Sequence, residues 1–300
     1  MARLFDAYVI ADWTAAEGKK TGEQSLWIGV VKRDVRFRLA YEAYNPATRA
    51  EGEKLLKTIL ADLRKQGQRV LLGFDFALGL PEGVAKKLGL EGEPWAAVWK
   101  FMASNVVDKA DNTNNRFAVA AKINRLMTDE ARPFWGAPAR YTQRWLASTK
   151  PAAPSRDIPE FRRTEKAANK KKAALKPIWQ MHGAGVTGGQ ALLGMAVARR
   201  LADELGPSLA VWPFGTGWRA LDRADVEPLD VLVVEVLPAL FPTKPEPGET
   251  KSAAGVRGAA ETIARLDDKG ELAALFAPPK GTSEADVAAV QREEGWMLGA

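Results

Sequence analysis

The sequence predicts an α/β protein with one mixed β-sheet, in which three antiparallel strands are followed by parallel strands connected by helices, plus a helical insertion. Two features point to this class. Three strand-like runs follow one another at residues 8–14, 25–31 and 35–44, and an amphipathic helix then leads into a fourth apolar run at 69–76. The continuously apolar run at 231–237 is typical of a strand covered by helices on both faces. We expect a single domain over residues 1–300.

The first three runs predict an antiparallel meander. The first is apolar until it ends in Asp12, Trp13 and Thr14, and a polar, glycine-containing connection leads to the run at 25–31. This arrangement is typical of a hairpin with a long loop. Residues 35–44 alternate between apolar and polar side chains, which indicates a half-exposed strand.

A helix and a fourth strand follow the meander. Asn45 or Thr48 can cap a helix that runs to about Gln66, and Gly67 ends it. The next run finishes in Asp75 and Phe76. Because a helix separates this strand from the meander, we expect it to lie parallel to the first strand through a helical crossover.

Residues 77–154 predict a helical insertion that covers the C-terminal edge of the sheet as a lid. The segment is rich in Trp, Asn, Ala and Arg, and it contains one strongly amphipathic helix at residues 115–128. The remainder of the chain predicts the following elements: a basic segment at 156–176, helices at 189–205 and 253–266, strands at 208–214 and 231–237, a turn at 271–276 and an amphipathic segment at 283–292.

Composition limits the chemistry. The chain has no cysteine and one histidine, His182, so thiolate chemistry and multi-histidine metal sites are excluded. A bound metal would have oxygen ligands, which favours Mg²⁺ or Mn²⁺. No apolar run approaches the roughly 18 residues of a membrane span. We expect a cytoplasmic protein without a membrane partner.

Three apolar strands each carry one acid: Asp12, Asp75 and Glu235. A buried acid is costly unless it is paired, hydrogen-bonded or bound to a metal, so a carboxylate cluster is the economical explanation. A divalent cation would relieve the mutual repulsion of such a cluster. Two alternatives stay open: the aspartates cap the loops that follow them, and Glu235 pairs with an arginine.

The basic segment offers a second candidate site. Arg162 and Arg163 precede Thr164 and Glu165 and have several lysines nearby, so they could clamp a phosphate group. The same residues are equally typical of a locally capped helix start.

The glycine-rich loop at residues 183–188 matches the GxGxxG pattern but lacks the strand and the strand-end acid of a dinucleotide site, so we reject NAD binding. The helix that follows can still receive a phosphate at its N-terminus. His182 adjoins this loop, either as a general base or in a structural role. The ten tryptophans could stack nucleobases or pack in the core.

The sequence resembles the family grouped as domain of unknown function 429 (DUF429), whose members are described as predicted RNase H-like nucleases. The resemblance is carried by short motifs in order along most of the chain: Ile10-Ala-Asp-Trp-Thr, Gly73-Phe-Asp-Phe with Gly79-Leu-Pro, Phe161-Arg-Arg-Thr-Glu, Trp179-Gln, Gln190-Ala-Leu-Leu-Gly, Val211-Trp-Pro-Phe, Val234-Glu-Val-Leu-Pro, and Ser283-Glu-Ala-Asp with Glu294-Gly-Trp. It implies a ribonuclease H-like fold with acids at strand ends.

The resemblance also implies the site residues. Metal binding and catalysis would fall to Asp12, Asp75, Glu235 and Asp286, and substrate binding to Arg163, Glu165, Gln180 and Gln190. The expected activity is metal-dependent hydrolysis of phosphodiesters or nucleotides, with nucleic acid or a small nucleotide phosphate as partner. The alternatives are a nucleotide-binding or phosphotransfer protein of the same fold, for example one linked to molybdopterin guanine dinucleotide metabolism, and a non-catalytic binding protein.

Overall fold

A six-stranded sheet forms the centre of the protein. The computed structural model describes residues 3–152, 157–171 and 173–300. The strands are β1 (Ala7–Asp12), β2 (Trp27–Arg33), β3 (Leu39–Tyr44), β4 (Val70–Phe74), β5 (Leu209–Val211) and β6 (Val231–Glu235). Their order across the sheet is β3-β2-β1-β4-β6-β5.

Helices cover both faces of this sheet. They are α1 (Arg49–Lys65), α2 (Val84–Lys87), α3 (Pro94–Asn105), α4 (Arg116–Thr128), α5 (Arg163–Lys170), α6 (Gly188–Leu205), α7 (Arg223–Val226), α8 (Lys251–Asp268), α9 (Leu272–Leu275) and α10 (Glu284–Ala289), and a π-helical turn, Val290–Glu294, continues α10. Among the helices of the described residues, none is both long and apolar enough to cross a membrane.

The strand directions confirm the predicted mixed sheet. β2 is antiparallel to both β1 and β3, as a meander requires. β4 pairs with β1 in parallel, so the predicted helical crossover through α1 is correct. β6 is parallel to β4, and the short edge strand β5 is parallel to β6.

Side chains alternate between two cores along each strand. Ala7, Val9 and Ala11 of β1 face a core shared with α1, α3, α4 and α6, which we call the first face. Tyr8 and Ile10 face a second core formed with α8, which we call the second face. Because the period of a strand is two residues, this alternation fixes the face on which every strand-end acid emerges.

The predicted third strand begins four residues later than its alternating pattern suggested. Asp34 and Arg38 close a tight turn through the Asp34 N–H and the Arg38 carbonyl, 2.9 Å apart. Phe37 adopts a positive φ of 60° inside this turn. The alternation of Val35 and Phe37 therefore belongs to a hairpin tip, where both side chains are exposed.

The segment predicted as an insertion contains more helix than its pattern indicated. The predicted helix at 115–128 is present as α4, and α3 was missed. Proline at the first position of α3 is a start signal. Val98, Trp99 and Met102 of α3 lie in the core of the first face. This part of the segment is therefore part of that core. Pro154, the predicted end of the segment, lies outside the described residues.

The basic segment forms the short helix α5 and its flanking loops. The capped-helix alternative is confirmed, because Glu165 accepts a hydrogen bond from the Arg162 N–H, 3.0 Å away. Arg162 itself is buried, although it belongs to a strongly basic segment. Arg156 and Lys172 of this segment lie outside the described residues.

Candidate active site

Asp12 and Asp75 lie side by side at the C-terminal ends of the two central parallel strands. Asp12 is the last residue of β1, and Asp75 directly follows β4. The register pairs Ala11 with Phe74, so the two aspartates emerge next to each other on the second face. The Asp75 carboxylate accepts a hydrogen bond of 2.7 Å from the Trp13 N–H. The strands thus bring two of the four predicted acids together.

Burial and mutual repulsion raise the pKa values of both carboxyl groups. Burial is the largest cause at Asp12 and raises its pKa to about 6, while hydrogen bonds with Asp75 and Ser252 act in the opposite direction. The pKa of Asp75 is raised well above its usual range by burial and then by the charge of Asp12. A pair of this kind favours one bound proton or a bound cation near neutral pH.

The raised pKa of Asp12 predicts a pH-dependent gain in stability for Asp12→Asn. Since the folded pKa lies above the unfolded value of 3.8, the stability contributed by this carboxyl is complete below that value and is lost as the pH rises through about 6. Without metal, we expect the variant to be more stable than wild type by about 1–3 kcal/mol at pH 8. The gain should vanish near pH 4. Melting temperatures in EDTA across this pH range measure the difference.

Asp203→Asn is the matched control, because Asp203 is an exposed residue of α6 that is paired with Arg199. This variant should show no comparable gain at pH 8. A wild type and an Asp12→Asn variant whose melting curves keep a constant separation from pH 4 to 8 would contradict the raised pKa.

Glu235 belongs to a separate, buried ion pair. Arg162 contacts both of its carboxylate oxygens, at 2.7 and 2.8 Å, and both side chains are almost fully buried. The Leu78 N–H donates a further hydrogen bond to Glu235 at 3.0 Å. Of the two interpretations that the sequence left open for Glu235, the structure shows the pairing with an arginine.

The alternation of side chains along a strand explains why Glu235 does not lie beside the aspartates. Glu235 is the register partner of Phe74, which faces the first core, whereas Asp75 is the next residue and faces the other way. Asp75 and Glu235 still border one cavity of about 10 Å³, room for about one water. The ends of the strands converge, but their side chains emerge on opposite faces.

Asp286 and Arg163 form another ion-pair cluster. The Nε of Arg163 is 2.5 Å from Asp286, and its Nη atoms contact Glu294 and Glu82 at 2.9 Å each. The hydrogen bond from Arg163, followed by that from Ser283, lowers the pKa of Asp286. These residues line a different pocket from the one that Asp12 lines. The structure therefore does not bring Asp286 to the strand-end aspartates, and three carboxylates already surround the predicted phosphate clamp.

Asp12 borders a pocket of about 680 Å³, a volume that suits a small-molecule ligand. The wall contains the loop after β1, the start of α6 and Ser252 in the first turn of α8. Ionisable side chains around it are Asp12, Glu17, Lys20, Arg116, Arg140 and His182. The pocket is therefore lined by Asp12, one member of the carboxyl pair, and by several cationic side chains.

The glycine-rich loop and the start of α6 form one side of this pocket. Adding a Cβ at Gly188 would place it 2.3 Å from the Ile178 carbonyl oxygen, so this close approach requires glycine. The predicted substrate residue Gln190 lies here, and its amide donates to the Trp13 carbonyl. The amide of Gln180 instead donates to the backbone of His182. Glu165, also predicted to bind substrate, pairs with Arg162 beside the smaller cavity.

Metal-binding capacity at this site rests on two carboxylates. Over residues 3–152, 157–171 and 173–300, no group of three or more His, Cys, Asp or Glu side chains could hold a metal ion.

Sequence reasoning missed Ser252, Arg116 and Glu17, which contribute to the pocket. Ser252 lies in the first turn of α8, one residue before the predicted beginning of that helix, and polar residues at helix starts are a usable signal.

Comparison of the chain with protein-family models, with curated proteins and with solved structures found no match.

Proposed function

We propose that the chain has a ribonuclease H-like fold of the DUF429 kind and hydrolyses phosphoester bonds with a divalent cation held by Asp12 and Asp75. The observation that supports this most strongly is the adjacent carboxyl pair at the ends of the two central parallel strands, of which Asp12 lines a ligand-sized pocket. The strand order β3-β2-β1-β4, followed by a further parallel strand, supports the fold assignment.

The two carboxylates fit Mg²⁺ or Mn²⁺. Mg²⁺ is commonly bound by one or two carboxylates together with waters and substrate phosphates, so a third protein carboxylate is not required. Burial raises the pKa values of Asp12 and Asp75, and the charge of Asp12 raises that of Asp75 further, so a bound cation would favour the ionised carboxylates. When bound, such an ion would polarise the phosphoryl oxygens and lower the pKa of an attacking water.

The chain's own residues orient this pair. The Trp13 N–H fixes the Asp75 carboxylate, and the Ser252 hydroxyl interacts with Asp12. Gln190 ties the start of α6 to the Trp13 carbonyl, which holds the pocket wall beside the strand end. Rigid support of this kind is what a metal-binding pair requires. Glu235 and Asp286 act here through their arginine partners as structural residues.

The size of the pocket favours a small phosphorylated substrate. A volume of about 680 Å³ matches a nucleotide-sized ligand. Arg116 and Arg140 line it and provide positive charge for phosphate groups.

Hydrolysis assays test the proposal directly. Purified protein would be incubated with nucleoside triphosphates, nucleoside monophosphates, p-nitrophenyl phosphate, bis-p-nitrophenyl phosphate and single-stranded oligonucleotides, each with Mg²⁺, Mn²⁺ or EDTA. We expect cleavage of at least one class with Mg²⁺ or Mn²⁺ and none in EDTA. Equal rates in EDTA, or no cleavage of any class, would contradict a metal-dependent hydrolase.

A phosphate-binding protein without turnover is a second candidate. The observation that favours it is the absence, among the residues that the structure describes, of a third metal-ligating side chain beside the pair. Thermal stabilisation by nucleotides without cleavage of any substrate class would select this alternative.

A further inference from the structure

The first turn of α6, of which Gly189 and Gln190 line the pocket, has unused hydrogen-bond donors. The first bond of the helix runs from the Ala191 N–H to the Thr187 carbonyl, 2.8 Å away, and the Thr187 side chain does not cap the helix. Within the described residues, the N–H groups of Gly188, Gly189 and Gln190 donate to no acceptor. Such donors, at the positive end of an 18-residue helix, suit an anion.

Arg116 provides a second, independent indication of a ligand. It lines the same pocket and is only 6% exposed. Its Nη1 donates to Glu17 and Asn114, while its Nε is buried and has no hydrogen-bond partner in the described part of the chain. A buried cation with an unpaired donor is costly, and an anion bound beside the guanidinium would offset that cost electrostatically.

The two features are adjacent. A Cβ added at Gly189 would lie 3.2 Å from the Arg116 Nε and 3.2 Å from the Ala15 Cβ. Gly189 therefore allows the guanidinium to approach the first turn of α6. Asp12, Ala15, Gly189 and Arg116 all line the same pocket, so the donors and the first carboxylate of the pair border one site.

Charge selects the kind of anion. The N-terminus of a helix contributes roughly half a positive charge, and an arginine contributes a full one. Glu17 is shared among Arg116, Arg140 and the hydroxyl of Tyr141, so it does not neutralise both arginines. The helix N-terminus and the arginines together therefore carry a positive charge greater than one. This charge suits a terminal phosphate, which is close to doubly charged at neutral pH, better than an internal phosphodiester, which carries a single charge.

We propose that the first turn of α6 and Arg116 form a subsite for a terminal phosphate or pyrophosphate group, so the pocket takes small phosphorylated compounds such as nucleoside di- or triphosphates. The inference rests on the proposed function only in treating the pocket as the reaction site. Binding of the anion itself requires neither the metal nor the aspartates.

Pyrophosphate binding in EDTA, measured by titration calorimetry, tests the subsite apart from catalysis. We expect wild type to bind, and Arg116→Gln to weaken binding about 10- to 100-fold, as expected for the loss of charge-assisted hydrogen bonds. Gly189→Ala should also weaken binding, because its Cβ crowds Arg116. It provides the test if Arg116→Gln fails to fold.

Two further variants complete the design. Arg199→Gln removes a charge that is paired with Asp203 on another part of α6, and it should bind pyrophosphate like wild type. Asp12→Asn should bind at least as tightly as wild type, because it removes a negative charge from the pocket. Wild-type binding without hydrolysis of any substrate would refute the proposed activity and leave the subsite standing.

The subsite is overturned by either of two results: no pyrophosphate binding by folded wild type, or equal binding by wild type and by folded Arg116→Gln and Gly189→Ala variants.

Discussion

Asparagine at Asp12 or at Asp75 is expected to lower metal-dependent hydrolysis by at least about 100-fold, since a bound cation supplies several kcal/mol of charge stabilisation and each 1.36 kcal/mol is tenfold in rate. The carboxyl pair is the only place where the described residues bring two of the predicted acids into direct contact. Each substitution removes one negative ligand while it preserves the side-chain shape. Initial rates at saturating Mg²⁺, together with thermal stabilisation by Mn²⁺, measure the loss.

Asp286→Asn separates the two-carboxylate account from the four-carboxylate prediction. Asp286 is paired with Arg163 in a different pocket, so the two-carboxylate account expects this variant to retain most of its hydrolytic rate. A loss of hydrolytic rate in Asp286→Asn as large as that in Asp12→Asn would instead support the predicted four-carboxylate site. Asp203→Asn again controls for the removal of an exposed aspartate.

Removing the Arg162 side chain is expected to produce the largest loss of stability. Arg162 contacts Glu165 at 3.1 Å and Glu235 at 2.7 Å, and all three side chains are nearly inaccessible to water. Its guanidinium also donates to the Glu294 carbonyl at 2.9 Å. Arg162→Met would leave two buried acids without their cation, at a cost of about 3–5 kcal/mol. The midpoint of urea denaturation measures the change.

The partner acid provides the internal check. Arg162→Met leaves the buried charge of Glu235 without a partner. Adding Glu235→Gln removes that charge, so the double variant should recover part of the lost stability. Arg199→Met removes an arginine from an exposed pair on α6 and should cost less than about 1 kcal/mol. A loss below about 1 kcal/mol in Arg162→Met, by contrast, would show that the buried network contributes little.

The sequence predicted most of the sheet because hydrophobic periodicity reports burial directly. The continuous apolar runs of β1, β4 and β6 were each found, and the helix between β3 and β4 implied the parallel crossover. Local turn chemistry was harder. Asp34 and Arg38 bond to each other within a hairpin, and alternating side chains in that turn imitate a strand.

The position of a strand-end acid could be predicted, but its face depends on register. Asp12 and Asp75 share a face because Ala11 pairs with Phe74, the residue before Asp75. Glu235 lies on the other face because its register partner is Phe74 and not Asp75. A single residue of register decides this, and periodicity within one strand carries no information about the pairing of two strands.

The partners of the remaining acids come from distant parts of the chain. Arg162 reaches Glu235 across 73 positions, and Arg163 reaches Asp286 across 123. Neighbouring arginines in a basic segment gave no sign that one is buried and the other half-exposed. The start of α6 is the opposite case, since its glycine-rich loop already suggested that this helix N-terminus can receive a phosphate, and the structure places Gly189 beside Arg116.

A crystal structure with Mn²⁺, read through its anomalous scattering, tests the central claim most directly. The account predicts one strong peak about 2.1 Å from carboxylate oxygens of both Asp12 and Asp75, at the distance expected for a hard cation of this size. It predicts no peak at Asp286 and an intact Arg162–Glu235 pair. Two results would contradict the account. One is a Mn²⁺-saturated crystal with no peak at the two aspartates, and the other is a Mn²⁺ ion that Glu235 and Asp286 also ligate.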